Sequence, residues 1–245
     1  MPVFEVCVDT VSGAVASARA GADRIELCAG LVEGGVTPSR GMIGRVVEVA
    51  SIDCVVLIRP RGGDFLYSED GIRVMLEDII AAREAGAFGI ATGALTVEGT
   101  IDTDVMTRLI EAARPMQVTC HRAYDMARDP HEALDTLIEL GVDRVLTSGH
   151  ERSVTDALDL VADLVSRADG RIAVMPGGGV REENIREVLE HTGAREVHFT
   201  AFSRQESAMT YRNDRPMMGA VTVPGEYERV VTEKERVRRF IEAAS

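Results

Sequence analysis

The sequence predicts an α/β protein, a single (β/α)8 TIM barrel over residues 1–245 with a long segment after its eighth strand. Three observations carry that prediction. Eight short β-branched runs alternate with longer stretches of helical spacing. A length of 245 residues suits a barrel built as one unit. No GxGxxG follows the first run, which weakens the alternative of an open doubly wound sheet.

The strands are expected, in order, at "VFEVCVD" from Val3, "RIELCA" from Arg24, "CVVLIRP" from Cys54, "GIATGAL" from Gly89, "MQVTCHRA" from Met116, "RVLTSG" from Arg144, "RIAVMPGGG" from Arg171 and "EVHFTA" from Glu196. Helices between them have readable ends. Thr10 caps "VSGAVASARA" and Gly21 follows its last turn; Pro38 begins the next helix; Asp102 precedes and Pro115 follows "TDVMTRLIEAA"; "HEALDTLIEL" follows Pro130 and stops at Gly141. A helix stop running into a strand recurs as "AGADRIEL", "AGAFGIA", "LGVDRVL" and "TGAREVHF". Residues 202–232 are long for a barrel connection and hence a candidate functional or interface segment, and "TEKERVRRFIEAA" completes the helical ring.

Composition narrows the function classes. A formal net charge of -13 with no basic run argues against a nucleic-acid partner. The start of the chain lacks a basic, then apolar, leader, and no run approaches the roughly 20 apolar residues that span a bilayer, so no membrane partner and a cytoplasmic location are expected. The four cysteines show no CxxC pair and read as reduced thiols. Lys234 is the single lysine and lies in the last helix, so no strand carries one, which argues against a Schiff-base aldolase.

The chemistry follows from strand parity, because alternate residues of a barrel strand face the helices or the interior. In the first strand Val6 and Val8 face the helices, so Glu5, Cys7 and Asp9 point inward. In the second, Ile25 and Leu27 face outward and Arg24, Glu26 and Cys28 inward, which brings Cys7 and Cys28 side by side on neighbouring strands. Thr119, His121, His198 and Thr200 join the inward set, whereas Cys54 and Cys120 read as core thiols. Glu5, Arg24 and Glu26 suit either a site or a paired network that closes the barrel.

Two loops add candidates. Arg59, Arg61 and Asp64 in "RPRGGDF" suit the gripping of a carboxylate or phosphate, or equally a loop-stapling salt bridge. Gly177, Gly178 and Gly179 in "MPGGGV" follow the seventh strand, where barrels of this type hold phosphate, although three glycines also make a tight turn.

The segments "EVCVD", "GADRIELC", "EGGVTPS", "RPRGGDFLYS", "HRAYDM", "DRVLTSG", "MPGGGV" and "YRNDRPMMG" resemble the CutC family along almost the whole chain. The resemblance implies a cytoplasmic barrel that associates as a homodimer or higher homo-oligomer, a link to copper homeostasis, and Cu(I) held by Cys7 and Cys28. Soft thiolates on adjacent inward positions agree with that ion. The chain departs from the family at "TCHRAYDM", where "TFHRAFDM" is commoner, and in "HFTAF" after His198.

Two functions are therefore weighed. One is a copper-binding homeostasis protein with Cys7 and Cys28 as ligands. The other is an enzyme for a small anionic or phosphorylated metabolite, lyase or isomerase-like, with Glu26, His121 and Asp125 as acid–base groups. Its anion would be held among Glu5, Arg24, Arg59, Arg61, Asp64, Arg122, Ser148, the three glycines and His198, with Arg212 and Asn213 reaching over from the tail. A third possibility is a scaffold whose tail, including Tyr211, forms a dimer interface.

Overall fold

The computed structural model describes residues 2–216 and 225–244. Eight parallel strands, β1 (Val3–Val8), β2 (Arg24–Leu27), β3 (Asp53–Leu57), β4 (Gly89–Thr92), β5 (Gln117–Cys120), β6 (Arg144–Thr147), β7 (Ala173–Pro176) and β8 (Glu196–Phe199), form one sheet. Its order is β7-β6-β5-β4-β3-β2-β1-β8. The sheet is a nearly closed barrel, because β7 and β8 lie side by side. Around it run α1 (Val11–Ala20), α2 (Arg40–Ala50), α3 (Glu69–Glu84), α4 (Thr103–Ala113), α5 (Pro130–Glu139), α6 (Leu158–Ala168), α7 (Ile185–Thr192) and α8 (Lys234–Ala243).

Local chemistry sets the helix ends. The Thr10 side chain accepts from the Gly13 N–H at the start of α1, and Gly21, at φ 94°, adopts the left-handed turn that ends it. Asp102 caps α4 through the Val105 N–H. Two boundaries differ from the sequence reading. α2 begins at Arg40 and not at Pro38, because the Ser39 hydroxyl accepts the Met42 N–H and caps the helix there. Asp129 caps α5 and Pro130 is its first residue, where a missing N–H costs nothing.

The alternation of the strands divides the interior into two apolar clusters. The larger one, between strands and helices, contains Val6, Val8, Ile25, Leu27, Cys54, Val56 and Cys120. A smaller one consists of Cys7, Cys28, Val55, Leu57 and Ala91. Burial pushes the Cys54 and Cys120 thiols up to about 12, as befits inert core residues.

The segment after β8 is not a plain loop. It contains an antiparallel hairpin of β9 (Phe202–Glu206) and β10 (Glu228–Thr232), whose Thr232 packs beside Gly13 of α1. Met217, Met218 and Gly219 of the "YRNDRPMMG" motif lie outside the described residues. No described helix is long and apolar enough to cross a membrane.

Candidate functional site

Register explains the first layer of the site. Glu5 of β1 lies opposite Arg24 of β2 on one side and His198 of β8 on the other, so the three side chains stand shoulder to shoulder inside the barrel. Arg24 Nε donates to Glu5 at 2.5 Å, and its Nη2 donates to Glu196 at 2.5 Å. Glu196 also accepts from Arg144, which reaches on to Gln117 and Thr119. Burial alone would raise the Glu5 carboxyl, but the His198 hydrogen bond and the Arg24 charge outweigh it and hold Glu5 at about 2.

One step toward the C-terminal strand ends the chemistry changes. Cys7 lies opposite Glu26 in the same ladder. The Sγ atoms of Cys7 and Cys28 are 3.7 Å apart, beyond the roughly 2.05 Å of a disulfide, and both thiols are free and buried. His198 Nδ1 donates to Glu5 at 2.8 Å, while its Nε2 stands 4.0 Å from Glu26. One ligand atom each from Cys7, Glu26 and His198 falls within 4.8 Å of the others.

The charges there are poised rather than cancelled. The hydrogen bond that the Cys7 thiol makes with Cys28, burial and the nearby carboxylates push it well above its ordinary value. Burial also raises Glu26. His198 would be lowered by burial, yet the hydrogen bond to Glu5 and the charges of Glu26 and Glu5 raise it. Such a floor can bind a thiophilic cation after losing protons, or pass a proton between Glu26 and His198.

Above the floor opens a cavity of about 320 Å³, lined by Cys7, Glu26, Arg59, His121, Arg122 and His198, with Leu57 and Phe65 as apolar wall and Gly178 and Gly179 at the rim. His121 follows β5, and its Nδ1 accepts the Ala123 N–H at 3.1 Å. Burial, with Arg59 adding to it, pushes His121 down to about 3, so the ring is neutral. Arg59 donates to the carbonyls of Glu33, Gly35 and Gly63 and lies over the Phe65 ring, which fastens the loops after β2 and β3 to each other.

Several predicted site residues stand elsewhere. Arg24 is consumed by the Glu5 and Glu196 pairs below the cavity. Arg61 pairs with Asp64 at 2.7 Å on an exposed loop and also donates to the Leu66 carbonyl, which makes that pair a loop staple. Asp125 does not line the cavity, and its carboxylate accepts from Arg122, Thr147, Ser148 and the His150 N–H. Ser148 binds Arg122 and Asp125 and holds the latter in place. Gly177 packs against Leu146 and His198 with no room for a side chain. Arg212 lies over the Tyr227 ring, Asn213 donates its N–H to the Tyr227 hydroxyl, and neither lines the cavity; Phe202 of the hairpin does.

Reasoning from sequence missed Arg144 and Glu196, although both are polar residues opening apolar strands. Glu196 lies two positions before His198, in the same inward set, so parity held the signal. It also missed Phe65, for which an aromatic residue in a glycine-rich loop gives no signal.

Comparison with known proteins places this geometry. The CutC family model matches residues 3–203. A family protein CutC from Parabacteroides distasonis is 49% identical over 240 residues, 98% of this chain and 99% of that protein. The human copper homeostasis protein cutC homolog is 49% identical over 236 residues, 96% of this chain and 86% of its own length. A crystal structure of a CutC protein from Streptococcus agalactiae superposes with a TM-score of 0.77 at 33% identity, over 81% of this chain and 98% of that one. This barrel, with its paired lumen thiols, belongs to the CutC family.

Proposed function

We propose that the chain binds copper as Cu(I) on the cavity floor, with Cys7 and Cys28 as the thiolate pair and His198 and Glu26 beside them. One observation carries this reading: the two sulfurs stand 3.7 Å apart, with an imidazole and a carboxylate within reach of Cys7. Two sulfurs each about 2.3 Å from one tetrahedral ion stand roughly 3.8 Å apart, so the pair needs little rearrangement. Soft thiolates select Cu(I) over harder ions. Glu5 orients His198 through Nδ1 and leaves Nε2 for the ligand, the usual arrangement of a metal-binding histidine. The word copper in the name of the human relative agrees with this chemistry.

Because the Cys7 thiol is held above its ordinary value, binding must release protons, and affinity rises with pH. The test is a Cu(I) titration of reduced protein against a competing chromophoric chelator. Wild type is expected to take up one ion per chain, and Cys7→Ser and Cys28→Ser to bind at least about tenfold more weakly. Equal, stoichiometric binding by all three proteins rejects the site.

A further inference from the structure

The upper half of the cavity is independent of the thiols, and its donors are left over after every internal hydrogen bond is made. Gly178, Gly179 and Val180 all line the cavity. Among the described residues their three consecutive N–H groups donate to nothing, whereas the neighbouring Gly177 N–H is spent on the Thr147 carbonyl. Consecutive free peptide N–H groups form a concavity that attracts anions.

Arg122 faces the same turn. Its Nε is held by Asp125 at 2.7 Å and its Nη2 by Ser148, while Nη1 makes no hydrogen bond among the described residues. That Nη1 lies so near Gly178 that a Cβ there would sit 2.9 Å from it, and the φ of 82° is one that only glycine adopts readily. The glycine therefore lets backbone and guanidinium share one space. Asp125, gripped by four groups of the β6 loop and Arg122, fixes the guanidinium before any ligand arrives.

A third donor comes from His121. Since Nδ1 accepts the Ala123 N–H, the proton of this neutral ring is on Nε2. His121 is 4% exposed, and its Nε2 is buried without a partner. Buried donors without partners are rare in folded proteins, and one on a cavity-lining side chain points to a ligand.

We propose that the cavity mouth binds a small phosphate monoester, with the phosphoryl oxygens on the Gly178–Val180 N–H groups and Arg122 Nη1, and its hydroxylated or oxo body reaching His121. Three peptide donors and a guanidinium match the three terminal oxygens of a phosphate better than the two of a carboxylate. The volume, near the lower end of the roughly 300–1,000 Å³ usual for ligand pockets, fits a sugar phosphate and not a nucleotide. The ligand lies above the proposed copper site and needs neither thiol.

Calorimetric titration of the metal-free, full-length protein tests the proposal. The probes are inorganic phosphate, glycerol 3-phosphate and ribose 5-phosphate, against glycerol, ribose and glycerate. The esters are expected to saturate, glycerol and ribose to show no binding, and glycerate to bind more weakly. Arg122→Gln and Gly178→Ala should each weaken the esters at least about tenfold. His121→Phe should weaken ribose 5-phosphate while sparing inorganic phosphate. Gly178→Ala keeps the test open should Arg122→Gln fail to fold. Absence of saturation by every ester, equal binding of ribose and ribose 5-phosphate, or unaltered binding by Gly178→Ala overturns it. Copper uptake is untouched by any of these outcomes.

Discussion

Two layers of one barrel interior use the same residue types to opposite ends. In the lower layer Glu5, Arg24, Arg144 and Glu196 form a chain in which each charge meets its opposite. In the upper layer Glu26, His198, His121 and Arg122 line an open cavity, and atoms such as His121 Nε2 have no partner. The difference teaches that an inward polar residue is evidence of a site only where its partners run out. Buried charge by itself is equally a way of filling a barrel interior, provided that each charge is paired.

The sharpest way to break that contrast is to open the lower layer. Arg24→Met removes the cation between Glu5 and Glu196 and leaves Glu5 buried with only His198 beside it. Removing one partner of a buried pair costs about 3–5 kcal/mol, so urea unfolding should show a loss of that order. A loss below about 1 kcal/mol would mean that the lower layer tolerates open charge as the upper one does.

A second effect concerns pH and carries two signs. Glu5 titrates at about 2 in the fold and near its ordinary 4.5 when unfolded, so the unfolded chain binds more protons between those values. Its contribution is complete above 4.5 and is lost as pH falls toward about 2. His198 is shifted the other way: its contribution is complete below its ordinary 6.5 and is lost as pH rises through its raised folded value. Unfolding midpoints from pH 3 to 9 should therefore fall on both sides. Glu5→Gln should flatten the acid arm and His198→Asn the alkaline one. An acid arm that is identical in Glu5→Gln would remove Glu5 from the account.

Much of this contrast is legible in the sequence, because period two is a strict rule in a short strand. Parity separates Cys7 and Cys28 from Cys120, and the structure puts the first two in the smaller lumen cluster and Cys120, with Cys54, in the helix-facing core. Parity fixes a side and not a partner. Parity groups Glu26 with Glu5 and Arg24, whereas Arg24 pairs with Glu5 and with Glu196, 172 positions along the chain. That choice depends on how β8 closes against β1, which no local pattern records. The β9–β10 hairpin is hidden for a related reason: "FSRQE" and "ERVVT" are separated by 21 residues, and neither has the tight-turn signal that betrays a short hairpin. The sequence offers Asp125 as an acid–base group, and only the loop after β6 reveals how many donors it serves.

The smallest effects compare one motif in two settings. Arg61 with Asp64 and Arg122 with Asp125 are both arginine–aspartate pairs three residues apart, and both close at 2.7 Å. They differ in the acid: the Asp64 side chain is 73% exposed and that of Asp125 is 4% exposed. Arg122→Gln leaves a buried carboxylate that still accepts from Thr147, Ser148 and the His150 N–H, so a loss of about 1–3 kcal/mol is expected in urea unfolding. Arg61→Gln unstaples an exposed loop but leaves a carboxylate in water, where solvent replaces the lost partner, so a loss below about 1 kcal/mol is expected. Equal shifts in the two variants would show that Asp125 gains nothing from its enclosure. The fixed guanidinium of Arg122 would then lose its physical basis, since it is that enclosure that holds the free Nη1 beside Gly178.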